Sequence, residues 1–345
     1  MLFNMQSQAP LVYIITYGCK VNYYESEAVA SQFDAMGIAN QMVTDGAISR
    51  LTNVAGFVVN SCAVTSMAEK KSRYGVSKIK KYHPNAVMVG MGCAFGRKTP
   101  EMVALEIADK LKVGQSQKVE KVTVQHRREK AFIKVQDGCQ NFCTYCIIPH
   151  IRNKMEHRAI ADVVAEIRAQ GPHVESVVLC GINLCYYPDF VQLCRAVDQC
   201  GIAWEISSLE PPMMTDDLIA TLAACQNFIP HFHICLQSGC DEVLRAMNRH
   251  YTTAEYAKII ANLRAAFPQG TFATDLIVGF PTETDAHFQT TLAYLQKLKL
   301  DKIHVFPYSP RAGTPAAQMK PVPNAIVTQR YKIIHFTLFQ KCDKY

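Results

Sequence analysis

Gln136-Asp137-Gly138-Cys139-Gln140-Asn141-Phe142-Cys143-Thr144-Tyr145-Cys146-Ile147-Ile148-Pro149 sets three cysteines in one short loop, spaced by three residues and then by two. At that spacing one turn of chain can point all three sulfurs inward. Iron–sulfur clusters are held by Cys thiolates, ordinarily four of them. A loop that offers three leaves one iron with an open position. An open position marks a metal that does chemistry, by the same logic that separates catalytic from structural zinc. The bland alternative is a zinc site, which prefers CxxC pairs and a fourth protein ligand.

Outward from this loop, 345 residues allow two domains, or one large α/β barrel using most of the chain. With 49% hydrophobic and 19% charged residues and no low-complexity tract, the composition is globular. A net charge of +7 mildly favours an anionic partner such as nucleic acid, against the alternative of a merely soluble basic surface. Met1 to Pro10 has neither a basic n-region nor an apolar h-region, so no secretory signal is expected. No apolar run approaches the roughly 18 residues that span a bilayer. The fourteen cysteines therefore point to a reducing, cytoplasmic setting, as metal ligands or small buried hydrophobes. Cys180, Cys194, Cys200 and Cys225 lie in apolar-periodic segments and read as core.

In the N-terminal part, Leu11–Thr16, Gly56–Asn60 and Ala86–Gly90 read as buried strands. Helical spacing covers Glu25–Met36, Thr65–Tyr82 and Pro100–Leu111, the second basic along one side through Lys70, Lys71, Arg73, Lys78, Lys80 and Lys81. This alternation predicts a parallel sheet with helices on its faces. Cys19, Cys62 and Cys93 each follow a strand by two to four residues. Loops at the carboxyl ends of parallel strands share one edge, where ligands bind, so three distant cysteines would meet there as a second cluster site. Any one of them alone reads as core. Gln115 to Lys130 is polar and basic (Lys118, Lys121, His126, Arg127, Arg128, Lys130) and is read as a solvated connector between domains.

Beyond it, strands are expected at Ala131–Gln136, Ser176–Cys180, Ala203–Ser207, His231–Leu236, Thr271–Val278 and Lys302–Val305. Helices are expected at Ala161–Gln170, Phe190–Cys200, Thr215–Ala224, Thr253–Ala266 and Asp285–Lys297. Six β/α units are too few for a full eight-stranded barrel, so a partial barrel with its site at the carboxyl ends of the strands is predicted. The three-cysteine loop follows the first of these strands.

The CxxxCxxC spacing, with an aromatic before the last cysteine, resembles the signature of radical S-adenosylmethionine (SAM) enzymes. From about Val12 to Pro315 the chain resembles the radical SAM methylthiotransferase family, which installs methylthio groups on tRNA adenosines or on a ribosomal-protein aspartate. The motifs are Gly18-Cys19-Lys20-Val21-Asn22 with Glu25-Ser26, Asn60-Ser61-Cys62-Ala63-Val64-Thr65, Gly92-Cys93, and Ile133 to Cys139 leading into the loop. Ser207-Ser208-Leu209-Glu210-Pro211, Leu236-Gln237-Ser238-Gly239, Thr274 to Pro281, Phe306-Pro307-Tyr308-Ser309 and Gly313-Thr314-Pro315 complete them. The resemblance implies an α/β chain: an N-terminal methylthiotransferase domain (1–115), a linker (116–130) and a radical SAM partial (β/α)6 TIM-like barrel (131–345). It implies two [4Fe-4S] clusters, one on Cys139, Cys143 and Cys146 and an auxiliary one on Cys19, Cys62 and Cys93, with SAM at the open iron of the first. Its partners would be tRNA and a flavodoxin- or ferredoxin-type electron donor.

By the same resemblance Tyr145 contacts the SAM adenine, Gly181 and Asn183 lie by the methionine amino group, and Ser208 and Glu210 lie near the ribose. The bland alternative for Ser208 and Glu210 is a strand end with helix-capping polar residues. Asp275 and Gln237 position SAM or substrate, or else are polar barrel interior. Arg152 and Arg158 pair with the SAM carboxylate or RNA phosphate, or are solvated loop charges, Arg158 being the preferred candidate. Gly-Cys-Lys-Val-Asn and Cys240 resemble the branch acting on N6-threonylcarbamoyladenosine; isopentenyladenosine or a protein side chain are the other substrates. Thr282, Met155-Glu156-His157, Cys185 and Trp204 depart from the family pattern. The family usually continues into a small RNA-binding barrel called TRAM. Here Pro323 to Tyr345 reads as the start of the preceding helix, so that domain is expected to be absent, with tRNA binding left to the basic 70–81 helix and the 115–130 segment.

Overall fold

The structure, a computed structural model, describes residues 10–113 and 122–339. Lys118 and Lys121 of the connecting segment and the chain beyond 339 lie outside the described residues. The chain forms two compact units: residues up to Arg128 with Ala169–Val174, and Glu129–Arg168 with the chain from Glu175 onward.

The first unit runs β1 (Leu11–Thr16), α1 (Lys20–Ala35), β2 (Asn40–Val43), β3 (Val54–Ser61), α2 (Ser66–Tyr82), β4 (Val87–Gly92) and α3 (Pro100–Leu111). Its four strands are parallel in the order β2-β1-β3-β4. Side chains alternate across a strand, and here both faces are covered, which is why the central strands read as unbroken apolar runs. Val12 and Ile14 pack with Val29, Phe33 and Ile107 of α1 and α3. Tyr13 and Ile15 pack on the opposite side with Ile48, Phe57 and Ile79.

Two strands run further than predicted, so Cys62 and Cys93 follow β3 and β4 directly rather than after a loop. Helix α1 begins five residues earlier than its apolar periodicity suggested, with Cys19 as its N-cap, because Asn22 and Ser26 are buried there as polar partners of Asn60. Edge strand β2 escaped the sequence, being short and covered on one side only. The connector is only partly solvated over its described part. Val124 and His126 are buried, and His126 Nδ1 lies 2.7 Å from the buried Glu27 carboxylate, which needs a partner there.

The second unit continues with β5 (Lys130–Lys134), β6 (Gln136–Asp137), α4 (Ile148–Ile151), β7 (Glu156–His157), α5 (Ile160–Arg168), β8 (Ser176–Cys180), α6 (Phe190–Asp198), β9 (Ala203–Ile206) and α7 (Asp216–Ala224). It closes with β10 (His231–His233), α8 (Asp241–Ala246), α9 (Thr253–Ala266), β11 (Thr271–Val278), α10 (Asp285–Leu298), β12 (Lys302–Pro307) and α11 (Asn324–Phe339). Parallel sheets β5-β8-β9 and β10-β11-β12 are joined by parallel bridges Trp204–Phe228 and Leu209–Ile234, giving the partial barrel. The predicted strand Ala131–Gln136 splits: β5 ends at Lys134, and β6 pairs antiparallel with β7. The three-cysteine loop thus hangs from a small hairpin beyond the barrel strand. Cys180 and Cys194 are core, but Cys200 and Cys225 are only half-buried, because α6 and α7 end before them. Trp204, where the family pattern has arginine, is fully buried against Phe228, ring centroids 4.9 Å apart.

Helix α11 is tied to the barrel by Arg330, whose Nη1 lies 2.6 Å from Glu283 Oε1 while that same oxygen accepts from Gly279 N at 2.9 Å. Both side chains are buried. Removing one member of a buried ion pair strands the other charge, so Arg330→Ala should cost about 3–5 kcal/mol, read from the urea midpoint.

Candidate functional site

The three-cysteine loop is held from behind. Arg152 is completely buried and reaches both oxygens of Asp137, at 3.0 and 2.9 Å; Lys134 adds a contact at 2.6 Å. Asp137 Oδ1 accepts from Gly138 N at 2.8 Å. Gly138 has φ +89°, and a Cβ there would fall 2.3 Å from the Lys154 carbonyl, so only glycine fits. Gln136 bridges two segments: its Nε2 donates to Asp137 O and Gly138 O at 2.7 Å, and its Oε1 accepts from Ile182 N and Asn183 N at 3.0 and 2.9 Å.

The loop is also gripped by the turn between α8 and α9. Thr144 N donates to Met247 O at 3.0 Å and Thr144 Oγ1 to Ala246 O at 2.8 Å. Asn248 Nδ2 donates to the carbonyls of Asn141 and Phe142 at 3.1 and 3.2 Å. Arg249, buried, gives Nη1 to Cys143 Sγ at 3.3 Å and Nη2 to Glu210 Oε2, and its Nε reaches Tyr251 Oη at 3.0 Å. Tyr251 Oη donates onward to the carbonyls of Cys235 and Leu236.

Burial pushes the Cys139 and Cys146 thiols up, Cys146 to about 12, and the neighbouring cysteines add to the cost of charging either one. Two buried sulfurs of this loop, those of Cys139 and Cys146, resist ionisation, and a cationic iron centre would relieve that cost. The donor set therefore fits a metal cluster. Asn183 Nδ2 lies 3.6 Å from Cys139 Sγ, and burial keeps the Tyr145 phenol neutral beside the apolar cluster of Val243, Met247 and Phe280.

Of the residues predicted from sequence, the structure gathers Cys139, Cys143, Cys146, Tyr145, Asn183 and Glu210 around this loop, with Gly181 at the end of β8 where Gln136 crosses. Ser208 and Asp275 form a separate chain through His233, with Ser208 Oγ 3.1 Å from His233 Nδ1 and Asp275 Oδ1 3.0 Å from His233 Nε2. Arg158 is placed differently: it pairs with the buried Glu166 at 2.8 Å and donates to the Lys134 and Asp162 carbonyls. Arg152 serves Asp137. Sequence reasoning missed Arg249 and His233. No sequence signal singled out Arg249, since Glu210 and Cys143, which it contacts, lie 39 and 106 residues away.

In the first unit the carboxyl edge carries the other three cysteines. Gly18 has φ +111°, and a Cβ on it would sit 3.1 Å from Cys62 Sγ, so the β1 turn lies against the end of β3. Cys93 N donates to Ser61 O at 3.0 Å, joining the end of β4. Asn22 orders this edge: its Nδ2 donates to Asn60 Oδ1 and Ser61 O at 3.0 and 2.8 Å, and its Oδ1 accepts from Cys19 Sγ at 3.4 Å. All thirteen cysteines among the described residues are thiols, and no helix there is long and apolar enough to cross a membrane.

A partial parallel barrel bearing a three-thiol loop at its strand ends defines a radical SAM enzyme. The Radical SAM superfamily model matches residues 133–295, and an uncharacterized protein family, UPF0004, matches residues 11–114. A threonylcarbamoyladenosine tRNA methylthiotransferase, MtaB, of Rickettsia prowazekii is 32% identical, covering 96% of this chain and 84% of the relative. A tRNA-2-methylthio-N(6)-dimethylallyladenosine synthase of Carboxydothermus hydrogenoformans is also 32% identical, over 92% of this chain and 81% of its own length. The chain belongs to the radical SAM methylthiotransferase family, and is thus an enzyme that uses SAM and iron–sulfur chemistry. Among solved structures, the radical SAM methyltransferase TsrM from Kitasatospora setae superposes with TM-score 0.65 at 12% identity, over 90% of this chain and 77% of its own, a likeness of fold.

Gly138→Ala should destabilise the metal-free protein by about 3 kcal/mol, from backbone strain and the Lys154 clash. Gly313→Ala, with similar φ and open space, carries the strain alone. Urea midpoints of the two variants separate the contributions.

Proposed function

We propose that the protein transfers a methylthio group to C2 of N6-threonylcarbamoyladenosine in tRNA, at position 37 next to the anticodon. The observation that carries this reading is the near full-length similarity to the MtaB of Rickettsia prowazekii. Gly18-Cys19-Lys20-Val21-Asn22 and Cys240 add support. Equal identity to a dimethylallyladenosine synthase favours a second reading, the same chemistry on isopentenyladenosine.

In the proposal Cys139, Cys143 and Cys146 hold one [4Fe-4S] cluster, and Cys19, Cys62 and Cys93 an auxiliary one. Bound there, the clusters would supply the electron for reductive cleavage of one SAM and the sulfur, methylated by a second SAM, that replaces the hydrogen at C2; a flavodoxin- or ferredoxin-type donor in the cytoplasm would supply the electrons. The chain's own residues position and tune. Arg249 places a cation against Cys143, which steadies added negative charge at that sulfur, and Glu210 with Tyr251 fixes its guanidinium. Asn183 donates to Cys139 and limits its rotation. Gly181, Glu210 and Tyr145 lie around SAM, and Ser208, His233 and Asp275 offer polar groups to SAM or the substrate base. Arg158 is assigned to the packing of α5 through Glu166.

Mass spectrometry of nucleosides from tRNA incubated with the reconstituted enzyme tests the reading. A methylthio-threonylcarbamoyladenosine product supports it, methylthio-isopentenyladenosine selects the second reading, and absence of both rejects the two. Two clusters require about eight irons per chain. Cys139→Ala should abolish 5′-deoxyadenosine formation, whereas Cys62→Ala should spare it and lose the methylthio product. Arg249→Met should shift the cluster potential to more negative values and slow SAM cleavage at a fixed reductant level, since a cation beside the cluster is lost. EPR-monitored redox titration reads the shift.

A further inference from the structure

Helix α2 carries six basic residues and one acidic, a large part of the chain's net +7. Solvated helix faces usually intersperse both signs. Here Lys70, Lys71, Lys80 and Lys81 are exposed and form no ion pair among the described residues; Arg73 pairs with Glu69 at 2.7 Å, both near the surface. The helix dipole favours Lys80 and Lys81 in the last turn, but it offers nothing to Lys70 and Lys71 nearer the N-terminus. Folding does not account for them.

Large ring side chains are exposed among these cations. Tyr74 is 62% and Tyr82 44% exposed, with Lys78 Nζ 5.7 Å from the first ring centroid and Lys81 Nζ 5.2 Å from the second. Exposed aromatics interleaved with cations suit nucleic acid, whose bases stack while its phosphates pair. A membrane is a poorer match, because the apolar side of α2, through Ile79 and Val76, is packed against its own sheet. The described part of the connector is also a poorer candidate. Its Arg127 is committed to Asp34 at 2.7 Å, and Arg128 lies over the Tyr23 ring at 4.2 Å.

We infer that the exposed face of α2, through Lys70, Lys71, Lys80 and Lys81 with Tyr74 and Tyr82, is a docking track for the phosphate backbone of the substrate RNA. The inference rests on the proposed tRNA substrate. From Lys70 to Lys81 the track is about 16 Å long. Helix α2 begins four residues after Cys62, so the track starts at the strand edge that carries the auxiliary cysteines.

The test compares full-length, cluster-loaded wild type with a Lys70/Lys71/Lys80/Lys81→Ala variant and the corresponding Arg variant, using a fluorescent anticodon stem-loop RNA across a salt series. The Ala variant should bind at least about tenfold more weakly, with a log–log salt slope shallower by about four. The Arg variant should bind like wild type, and 5′-deoxyadenosine formed without RNA should be equal in all three. An Ala variant with wild-type affinity and slope overturns the docking track and leaves tRNA methylthiolation standing. A wild type that binds phosphatidylserine vesicles but not the RNA overturns the track in favour of a membrane surface. If its tRNA product is also missing, the proposed function falls with it.

Discussion

A guanidinium buried between a cysteine sulfur and a carboxylate constrains the barrel unit at its strand ends. Arg249 cannot shed its charge, and burying it is tolerable only while Cys143, Glu210, Tyr251 and the Cys235 carbonyl surround it. Those partners come from the three-cysteine loop, the stretch after β9, the turn between α8 and α9 and the stretch after β10. The loop conformation and the strand ends are thus required together: displacing one leaves a charge without compensation.

The same economy operates at the edge of the first unit, with neutral groups. Asn22, Asn60, Ser26 and Ser61 are buried, and each satisfies another. Asn22 of α1 and Asn60 of β3 exchange bonds, while Ser61 Oγ receives Ala94 N and Phe95 N after donating to Met91 O. Cys19, Cys62 and Cys93 stand on this polar platform. The motifs around them are rich in Asn, Ser and Gly because the platform must bring three chain turns together without leaving a buried donor or acceptor unmatched.

Much of this was legible in the sequence where one strong rule applied. Leu11–Thr16 was read to the residue because a parallel strand covered on both faces is nearly continuously apolar, and Thr271–Val278 was read to the residue as well. The helix starts at Pro100 and Thr253 were read to the residue, and the structure caps them with Thr99 and with the Thr252–Glu255 capping box. Legibility failed where long-range contacts decide. Gln136 leaves the strand because its side chain serves Ile182 and Asn183, 46 and 47 residues away. Arg249 is silent until Cys143, 106 residues earlier, is seen beside it. Arg158 looked suited to an anion because local sequence does not show that Glu166 is buried and facing it.

Portability is where the grip of the α8–α9 turn matters most. The sulfurs are set by bonds to main-chain carbonyls and by partners more than 100 residues away, while Gln140 and Phe142 on the loop's outer side face solvent. The fourteen-residue stretch is therefore a poor candidate for transplantation: moved alone to another scaffold, it loses Asn248, Arg249 and the Gln136 bridge, and its thiols lose their convergence. Its outer residues, by contrast, are open to drift, so lineages can vary the surface around such a cluster without disturbing the metal beneath it.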